Sequence, residues 1–259
     1  MSLDPSVRDL GQYLLEIGYD VVYRQAGPSP RARMQPVEVP APPSMVAELA
    51  SVAPSIPEPS AQVRSAWARS TQVNTLELAA VGEAASGCTA CKLAAGRHSV
   101  VFGSGDPNAD LMFIGEGPGA EEDRQGLPFV GRAGELLTRM ILAIELQRDQ
   151  VYIANIVKYR PPNNRDPEPD EVAACRGFLE RQIELVRPRV ICALGRIAAQ
   201  TLLGVDTPIG RLRGQWTTVR GVPTMITYHP AALLRNPALK RPTWDDLQLV
   251  QSRLREPAV

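Results

Sequence analysis

From about residue 111 onward, short apolar runs alternate with amphipathic helical patterns, and this alternation limits the possible folds more than any other feature. The apolar runs lie at residues 111–114, 151–155, 190–194 and 223–227. The helical patterns lie near residues 133–145, 169–186, 196–203 and 243–254. Strands that alternate with helices are typical of parallel sheets covered by helices on both faces. We therefore expect an α/β fold of three layers, α/β/α, around a central, mainly parallel four-stranded sheet.

The first 74 residues differ in character from the rest of the chain. Residues 1–25 have helix-like apolar spacing, which predicts a short helix. The apolar positions are Val7, Leu10, Leu14, Ile17 and Val21. Residues 26–74 form a proline-rich linker that we expect to be disordered, because proline supplies no hydrogen-bond donor to a helix or sheet. A passive arm is favoured over a tethered peptide that binds a partner, and residues 75–259 are predicted to form the one folded domain.

The charge and hydropathy of the sequence limit the classes of protein to which the chain can belong. The chain has 28 basic and 28 acidic residues, so its net charge gives no sign of long-range attraction to nucleic acid. No run approaches the about 18 to 20 apolar residues that cross a bilayer. The N-terminus also lacks the basic and apolar regions of a secretory signal. A cytoplasmic protein without membrane contact is therefore expected.

A glycine-rich loop follows the first apolar run directly, and residues 115–120 read Gly-Glu-Gly-Pro-Gly-Ala. Glycines let a backbone approach a ligand closely, and their spacing partly matches the dinucleotide-binding fingerprint. However, Glu116 lies inside the turn and three more acids occupy residues 121–123, so a pyrophosphate would meet like charge. A neutral or cationic ligand suits this loop better, and a nucleotide-binding oxidoreductase is disfavoured.

Residues of varied chemistry follow the predicted strands. The Glu116 loop, Asn155, Gly195 and His229 all lie at or just beyond the carboxyl end of an apolar run. The carboxyl ends of parallel strands meet at one edge of the sheet, and ligands bind at that edge in open α/β folds. The sequence therefore predicts that these residues share one ligand site.

Five segments occur together in the order of a known enzyme family. They are the loop at 115–119, Pro-Phe-Val-Gly-Arg-Ala-Gly at 128–134, the run ending in Asn155, Arg-Pro-Pro at 160–162, and His-Pro-Ala-Ala-Leu-Leu-Arg at 229–235. In this order they resemble the family 4 uracil-DNA glycosylases, which contain an iron–sulfur cluster. The resemblance covers residues from about 85 to 254. It implies a uracil-DNA glycosylase-like fold and hydrolysis of the N-glycosidic bond of deaminated cytosine in DNA, the first step of base excision repair.

The chemistry of uracil release identifies candidate catalytic residues. Breaking the bond leaves negative charge on uracil O2, to which a ring nitrogen of His229 could donate. A water must attack the sugar, and a carboxylate could orient it and stabilise the cationic sugar. Glu116 is the first candidate for that carboxylate. Glu122 is the second, with exclusion of the thymine methyl group as its alternative role.

Three residues are predicted to bind uracil: Gly117, Phe129 and Asn155. An asparagine offers one acceptor and one donor group, which match the N3–H and O4 edge of uracil, whereas cytosine presents the reverse pattern. By the resemblance, Phe129 stacks on the base after it leaves the helical stack, and such stacking is worth about 1 to 3 kcal/mol.

Four residues are predicted to contact DNA. The resemblance assigns Leu233 and Leu234 to a loop that wedges into the duplex and Arg235 to the backbone, while Lys158 is expected at the pocket rim, near phosphate. The predicted partner is uracil-containing DNA, single or double stranded. A repair or replication protein could bind the N-terminal arm. A monomer associated with the nucleoid is expected, acting as a monofunctional enzyme without a Schiff-base lysine.

Four cysteines make up a separate candidate site: Cys88, Cys91, Cys175 and Cys192. Four thiolates could hold tetrahedral zinc or an iron–sulfur cluster, and their spacing does not choose between the two. Buried free thiols are the third possibility. The resemblance implies a 4Fe-4S cluster with a structural role on these four residues.

One alternative of a different class remains, namely a non-catalytic iron–sulfur DNA-binding module of the same fold. Such a module would bind uracil-containing DNA without releasing the base. A related branch of the family that links covalently to DNA through a histidine is disfavoured, because no histidine follows Gly131 in the loop at 131–135.

Overall fold

The structure, a computed structural model, describes residues 77–257. The predicted helix at 1–25 and the whole of the predicted linker at 26–74 lie outside the described residues. The first two residues of the predicted domain, 75 and 76, lie outside them as well. Within the described range, no helix is long and apolar enough to cross a membrane.

Six strands and eight α-helices follow one another along residues 77–257. The strands are β1 (Ser104–Gly105), β2 (Leu111–Gly115), β3 (Tyr152–Asn155), β4 (Val190–Leu194), β5 (Trp216–Val219) and β6 (Val222–Thr227). The helices are α1 (Leu78–Gly87), α2 (Ala120–Gln125), α3 (Arg132–Ala143), α4 (Pro169–Val186), α5 (Arg196–Leu203), α6 (Ile209–Leu212), α7 (Pro230–Arg235) and α8 (Lys240–Arg255). Short 3-10 helices lie at Lys92–Ala95, Arg148–Gln150, Pro162–Asn164 and Pro237–Leu239.

All the strands join one sheet with the order β1-β3-β2-β4-β6-β5. The four central strands are parallel and correspond to the four predicted apolar runs, so the parallel centre of the sheet is confirmed. The number of strands predicted was too low, because β1 and β5 add an antiparallel strand at each edge. Edge strand β1 has only two residues, and β5 exposes much of its surface, so neither carries the apolar run of a buried strand.

Alternating residues of the parallel strands face opposite sides of the sheet and build two apolar layers. Leu111 and Phe113 of β2 pack in one layer, against helices α3 and α8. Met112 and Ile114 pack in the other, against α4 and α5. The three-layer α/β/α prediction is therefore confirmed.

The register of the sheet brings the site loops together. Gly115 and Asn155, the last residues of β2 and β3, are direct partners in the ladder. The amide of Val157 then donates to the carbonyl of Glu116 at 3.1 Å, and the amide of Gly195 donates to Thr227 at 2.9 Å. These bonds continue the pairing past the strand ends and hold the following loops at one edge of the sheet.

Candidate active site

A cavity of about 450 Å³ opens at the carboxyl ends of the parallel strands. The loops after β2, β3, β4 and β6 all contribute to its lining, as expected for an open α/β sheet. Seven of the predicted site residues line it: Glu116, Gly117, Glu122, Phe129, Asn155, His229 and Arg235. The prediction that these segments converge is met by the geometry.

Asn155 is the buried polar residue of this cavity. Only 1% of its surface is exposed, and its side-chain oxygen Oδ1 has no hydrogen-bond partner. A buried acceptor without a partner costs about 1 to 3 kcal/mol. Such a group, in the lining of a cavity, is suited to receive a hydrogen bond from a ligand.

Gly115 leaves room for the side chains of Asn155 and Phe129 at the end of β2. This role was not predicted from the sequence. A Cβ atom at residue 115 would lie 2.5 Å from Oδ1 of Asn155 and 2.6 Å from Cζ of Phe129. Both distances are far below van der Waals contact. Glycine is therefore required where the amide and the aromatic ring approach the strand end, and its place before Glu116 in the glycine-rich loop was the signal available.

The backbone of Phe129 adopts a left-handed conformation, with φ of 53°, and 6% of the residue is exposed. Its ring centroid lies 5.5 Å from that of His229, with the planes tilted by 31°. The carbonyl of Phe129 accepts a hydrogen bond from Nη2 of Arg148 at 3.0 Å. Gly134 permits the close approach of α3, because a Cβ atom there would lie 1.8 Å from the same carbonyl. Arg148 and Gly134 thus fix the ring in the cavity wall, and neither was predicted as part of the site.

His229 caps the N-terminus of α7, where its Nδ1 accepts a hydrogen bond from the amide of Ala231 at 3.1 Å. An imidazole that accepts at Nδ1 carries its proton on Nε2 when it is neutral. Burial lowers the pKa of His229 to about 4, and the positive charge of Arg235 lowers it further, against a smaller opposing effect of Glu122. His229 is therefore a neutral donor at physiological pH.

Glu116 is the acid of the glycine-rich loop. Burial raises the pKa of Glu116 to about 7, Asp166 raises it further, and Arg196 opposes the rise. A carboxyl group with a pKa near the working pH is suited to accept a proton or orient a water.

Both carboxylate oxygens of Glu122 bind the backbone. Oε2 accepts from the amide of Gly119 at 3.1 Å, while Oε1 accepts from Val130 at 2.9 Å and Gly131 at 3.1 Å. Glu122 thereby ties the glycine-rich loop to the segment that carries Phe129. The geometry supports a positioning role, and the predicted catalytic role of Glu122 does not fit it.

Comparisons with known proteins agree with this site. A model of the uracil DNA glycosylase superfamily matches residues 102–248. The chain belongs to the uracil-DNA glycosylase superfamily. It is 44% identical over 176 residues to a type-4 uracil-DNA glycosylase of Sulfurisphaera tokodaii, covering 63% of this chain and 79% of that relative. A type-4 enzyme of Thermotoga maritima is 44% identical over 182 residues, covering 68% of this chain and 94% of that relative. The predicted resemblance to family 4 is confirmed.

Two predicted DNA-contacting residues of this family member are not available to DNA. Leu233 is fully buried in the layer of α3 and α8, so it is not a wedge residue. Its neighbour Leu234 is 37% exposed. Lys158 is also fully buried and does not lie at the pocket rim. Arg235 lines the cavity, so the predicted contacts of Leu234 and Arg235 with DNA stay predictions.

Lys158 instead supports the strand end that carries Asn155. Its Nζ donates to the carbonyl of Asn155 at 2.8 Å and to Oε1 of Gln182 at 2.5 Å. Gln182 Nε2 in turn donates to the carbonyl of Phe102 at 2.9 Å. Burial lowers the pKa of Lys158 to about 7. The lysine and Gln182, which was not predicted, therefore hold the backbone of the site from inside the protein.

The four cysteines do not form one ligand set. Cys88 and Cys91 pack against the same apolar layer as Cys175, whereas Cys192 lies in the layer on the opposite face of the sheet. The assignment of Cys192 as a fourth ligand is wrong, because a sheet separates its thiol from the others. In residues 77–257, no three side chains of His, Cys, Asp or Glu are grouped as ligands of a single metal ion.

Proposed function

We propose that this chain hydrolyses the N-glycosidic bond of deoxyuridine in DNA and leaves an abasic site. The observation that carries the proposal is the partnerless Oδ1 of Asn155, buried in a cavity beside an aromatic ring and a neutral histidine. The similarity to type-4 uracil-DNA glycosylases supports it, and the non-catalytic alternative is not favoured.

Recognition of uracil rests on Asn155 and Phe129. The glycosidic bond is inaccessible inside a duplex, so the nucleotide leaves the stack and enters the cavity. The ring of Phe129 stacks on the base and offsets part of the unstacking cost. Oδ1 of Asn155 accepts the N3–H of uracil and the amide donates to O4. Cytosine has an acceptor at N3, which would face Oδ1 without a hydrogen bond, so it is rejected.

Bond cleavage rests on His229 and Glu116. Nε2 of His229 donates to uracil O2, where negative charge develops as the bond breaks. Burial keeps the imidazole of His229 neutral, and its Nδ1 accepts a hydrogen bond, so the proton lies on Nε2. The ring can therefore donate to O2 without first taking up a proton from solvent. The carboxylate of Glu116 orients the attacking water and stabilises the cationic sugar. Gly117 lines the cavity beside Glu116 and gives the base close access to the loop.

A lysine nucleophile has no part in this proposal. Lys158 is the amine nearest in sequence to the site motifs, and its Nζ is buried and bonded to Asn155 and Gln182. This supports a monofunctional hydrolase. Partner binding by the N-terminal arm, a monomeric state and a cytoplasmic, nucleoid-associated location stay predictions.

The proposal is tested by release of free uracil from a single-uracil oligonucleotide, with EDTA present and with the matching thymine oligonucleotide as control. We expect uracil release and an alkali-labile abasic site from the uracil strand alone. Binding of the uracil strand without base release would refute the proposal and favour the non-catalytic module. A borohydride-stable adduct with DNA would refute the monofunctional mechanism.

The pH dependence of uracil release tests the role of Glu116. Because the pKa of Glu116 is raised to about 7 and the carboxylate is the active form, the rate at saturating substrate should rise as pH increases through about 7 and then level off. Glu116→Gln should lower the rate by about 100-fold or more and remove this rise, while substrate affinity changes little. If the rate of uracil release by Glu116→Gln still rose as the pH increased through about 7, the titrating group would have to be a residue other than Glu116.

The fit around Gly115 gives a second prediction. In Gly115→Ala the added methyl group must displace Asn155 or Phe129, so we expect kcat/KM for uracil release to fall by about 100-fold. Gly210→Ala is the matched control, because no atom lies within 4 Å of a Cβ at that position. Equal activity of the two variants would contradict the assigned role of Gly115. Far-ultraviolet circular dichroism verifies that both variants fold.

A further inference from the structure

A buried carboxylate lies behind the loop that carries His229. Asp246 of α8 is 1% exposed and takes no part in the proposed chemistry. Its Oδ2 accepts a hydrogen bond from Oγ1 of Thr227 at 2.6 Å. Arg213 binds both carboxylate oxygens, with Nη2 donating to Oδ1 at 2.5 Å and Nε to Oδ2 at 3.1 Å. Asp246 therefore joins α8 to the end of β6 and to the residue that follows α6.

Stability alone does not account for the ion pair of Asp246 and Arg213. The helix neighbours Leu247 and Val250 are fully buried in the apolar layer of α3 and α8. A carboxylate loses its hydration in such a layer, and replacement of a buried ion pair by apolar residues is often neutral or stabilising. What the pair supplies is a set of directed hydrogen bonds, which are suited to fix the position of the end of β6.

Thr227 carries this constraint to His229. It is the last residue of β6 and is fully buried. Its carbonyl accepts a hydrogen bond from the amide of Gly195 at 2.9 Å. Gly195 in turn packs closely on the histidine, since a Cβ atom at residue 195 would lie 2.8 Å from Cβ of His229. Thr227 is thus held by Asp246 on one side and by Gly195 on the other, two residues before His229.

Arg213 also contacts the residue between Thr227 and His229. That residue, Tyr228, lines the cavity. The guanidinium carbon of Arg213 lies 5.5 Å from the centre of the Tyr228 ring, in the range of a cation–π contact. One guanidinium therefore binds both the buried carboxylate and the cavity wall beside the histidine.

We infer that Asp246, Arg213 and Thr227 form a positioning network for His229, which holds Nε2 of the imidazole where negative charge develops on uracil O2. The inference rests on the proposed function, because uracil O2 is the atom that His229 serves. A donor stabilises such charge only when it is preorganised. A displacement of about 1 Å, even one caused far from the reacting atoms, can cost about 100-fold in rate.

The hydroxyl of Thr227 is the link that the experiment removes. Thr227→Val replaces it with a methyl group of similar size, so we expect the single-turnover rate of uracil release to fall by about 10- to 100-fold, with little change in affinity for uracil-containing DNA. Thr227→Ser keeps the hydroxyl and should release uracil at close to the parental rate. Thr224→Val is the matched control, because Thr224 is a buried threonine of the same strand whose hydroxyl donates to the carbonyl of Val222 at 3.0 Å. It should keep the parental rate.

The nitrogen chemical shifts of the imidazoles give a readout that does not depend on activity. The chain has two histidines, so their signals can be assigned with one substitution. In the parent, His229 should show the tautomer with its proton on Nε2, because Nδ1 accepts from the amide of Ala231. In Thr227→Val we expect the shifts of His229 to move toward a mixture of tautomers, while those of His98 stay unchanged.

Three results would overturn the inference: a parental rate in Thr227→Val, an equal loss of rate in Thr224→Val, or unchanged shifts of His229 in Thr227→Val. Should Thr227→Val fail to fold, Arg213→Lys takes its place, because lysine keeps the charge and loses the two-point contact with the carboxylate. It should show the same loss of rate at nearly constant affinity. Absence of uracil release by the parent would refute the proposed function, and the shifts of His229 would still decide whether the network positions the ring.

Discussion

Uracil release by the Asn155→Asp variant should fall by about 100-fold or more at neutral pH. The change replaces the amide donor with an acceptor, so uracil O4 faces a carboxylate oxygen in a site where Asn155 is 1% exposed. Each mismatched buried hydrogen-bonding group costs about 1 to 3 kcal/mol, and 1.36 kcal/mol corresponds to tenfold in rate. Single-turnover release of uracil from an oligonucleotide measures the effect.

The pH dependence of the residual activity makes the Asn155→Asp test sharper. A protonated aspartate again has one donor and one acceptor, so the deficit of the variant relative to the parent, measured at the same pH, should become smaller as the pH is lowered. Asn108→Asp makes the same chemical change at an exposed turn residue and should keep parental activity. Asn155→Asp activity within about threefold of the parent, as judged against the roughly 100-fold expectation, would remove Asn155 from uracil recognition.

The second large effect is expected from His229→Asn. Asparagine is a favoured N-cap residue and preserves an acceptor for the amide of Ala231. It lacks the Nε2 donor that reaches toward uracil O2. Loss of one donor of this type costs about 100- to 1000-fold in kcat. We therefore expect that drop in the single-turnover rate with little change in affinity for uracil-containing DNA.

The His229→Asn variant should also remain folded, which separates loss of the donor from loss of the cap. Because the cap of α7 is retained, we expect the melting temperature to stay within about 2 to 4 °C of the parent, the shift that about 1 kcal/mol causes in a domain of roughly 150 to 250 residues. His229→Ala, which loses the cap as well, is the matched comparison and should melt lower. If His229→Asn kept parental activity, the donor to uracil O2 would have to be another group.

Much of the site was predictable because its residues lie in local motifs at strand ends. Asn155 ends an apolar run, and His229 precedes a proline that begins a helix. In a parallel sheet, such positions are brought to one edge by the topology alone. Glu116 and Phe129 were found in the same way, through the loop and the segment that follow β2.

The wrong assignments share a physical cause, which is that a short motif does not state which side of an element faces the core. Leu233 and Leu234 are adjacent in a helix of six residues, and one is buried while the other is exposed. Lys158 was expected at the pocket rim, near phosphate, but it is fully buried, and lysine is rarely buried without partners. Its partners, the carbonyl of Asn155 and Gln182 of α4, lie in separate elements.

The edge strands and the cysteine site were decided by contacts between distant segments. Strand β5 pairs with β6 through a two-residue turn at Arg220 and Gly221, both with positive φ, and its exposed residues carry no apolar run. Cys192 was grouped with the other cysteines by residue type. The strand's alternation places it on the opposite face, and only the packing of α4 shows which face holds Cys175.

The sequence by itself determined the parallel centre of the sheet, the edge at which the site lies and the family to which the chain belongs. These follow from apolar periodicity and from motifs whose residues are close in the chain. The tertiary structure alone decided the neutral state of His229, the raised pKa of Glu116, the positioning role of Glu122 and the separation of Cys192 from the other cysteines. Burial and hydrogen-bond partners set these properties, and both depend on segments that are brought together only when the chain folds.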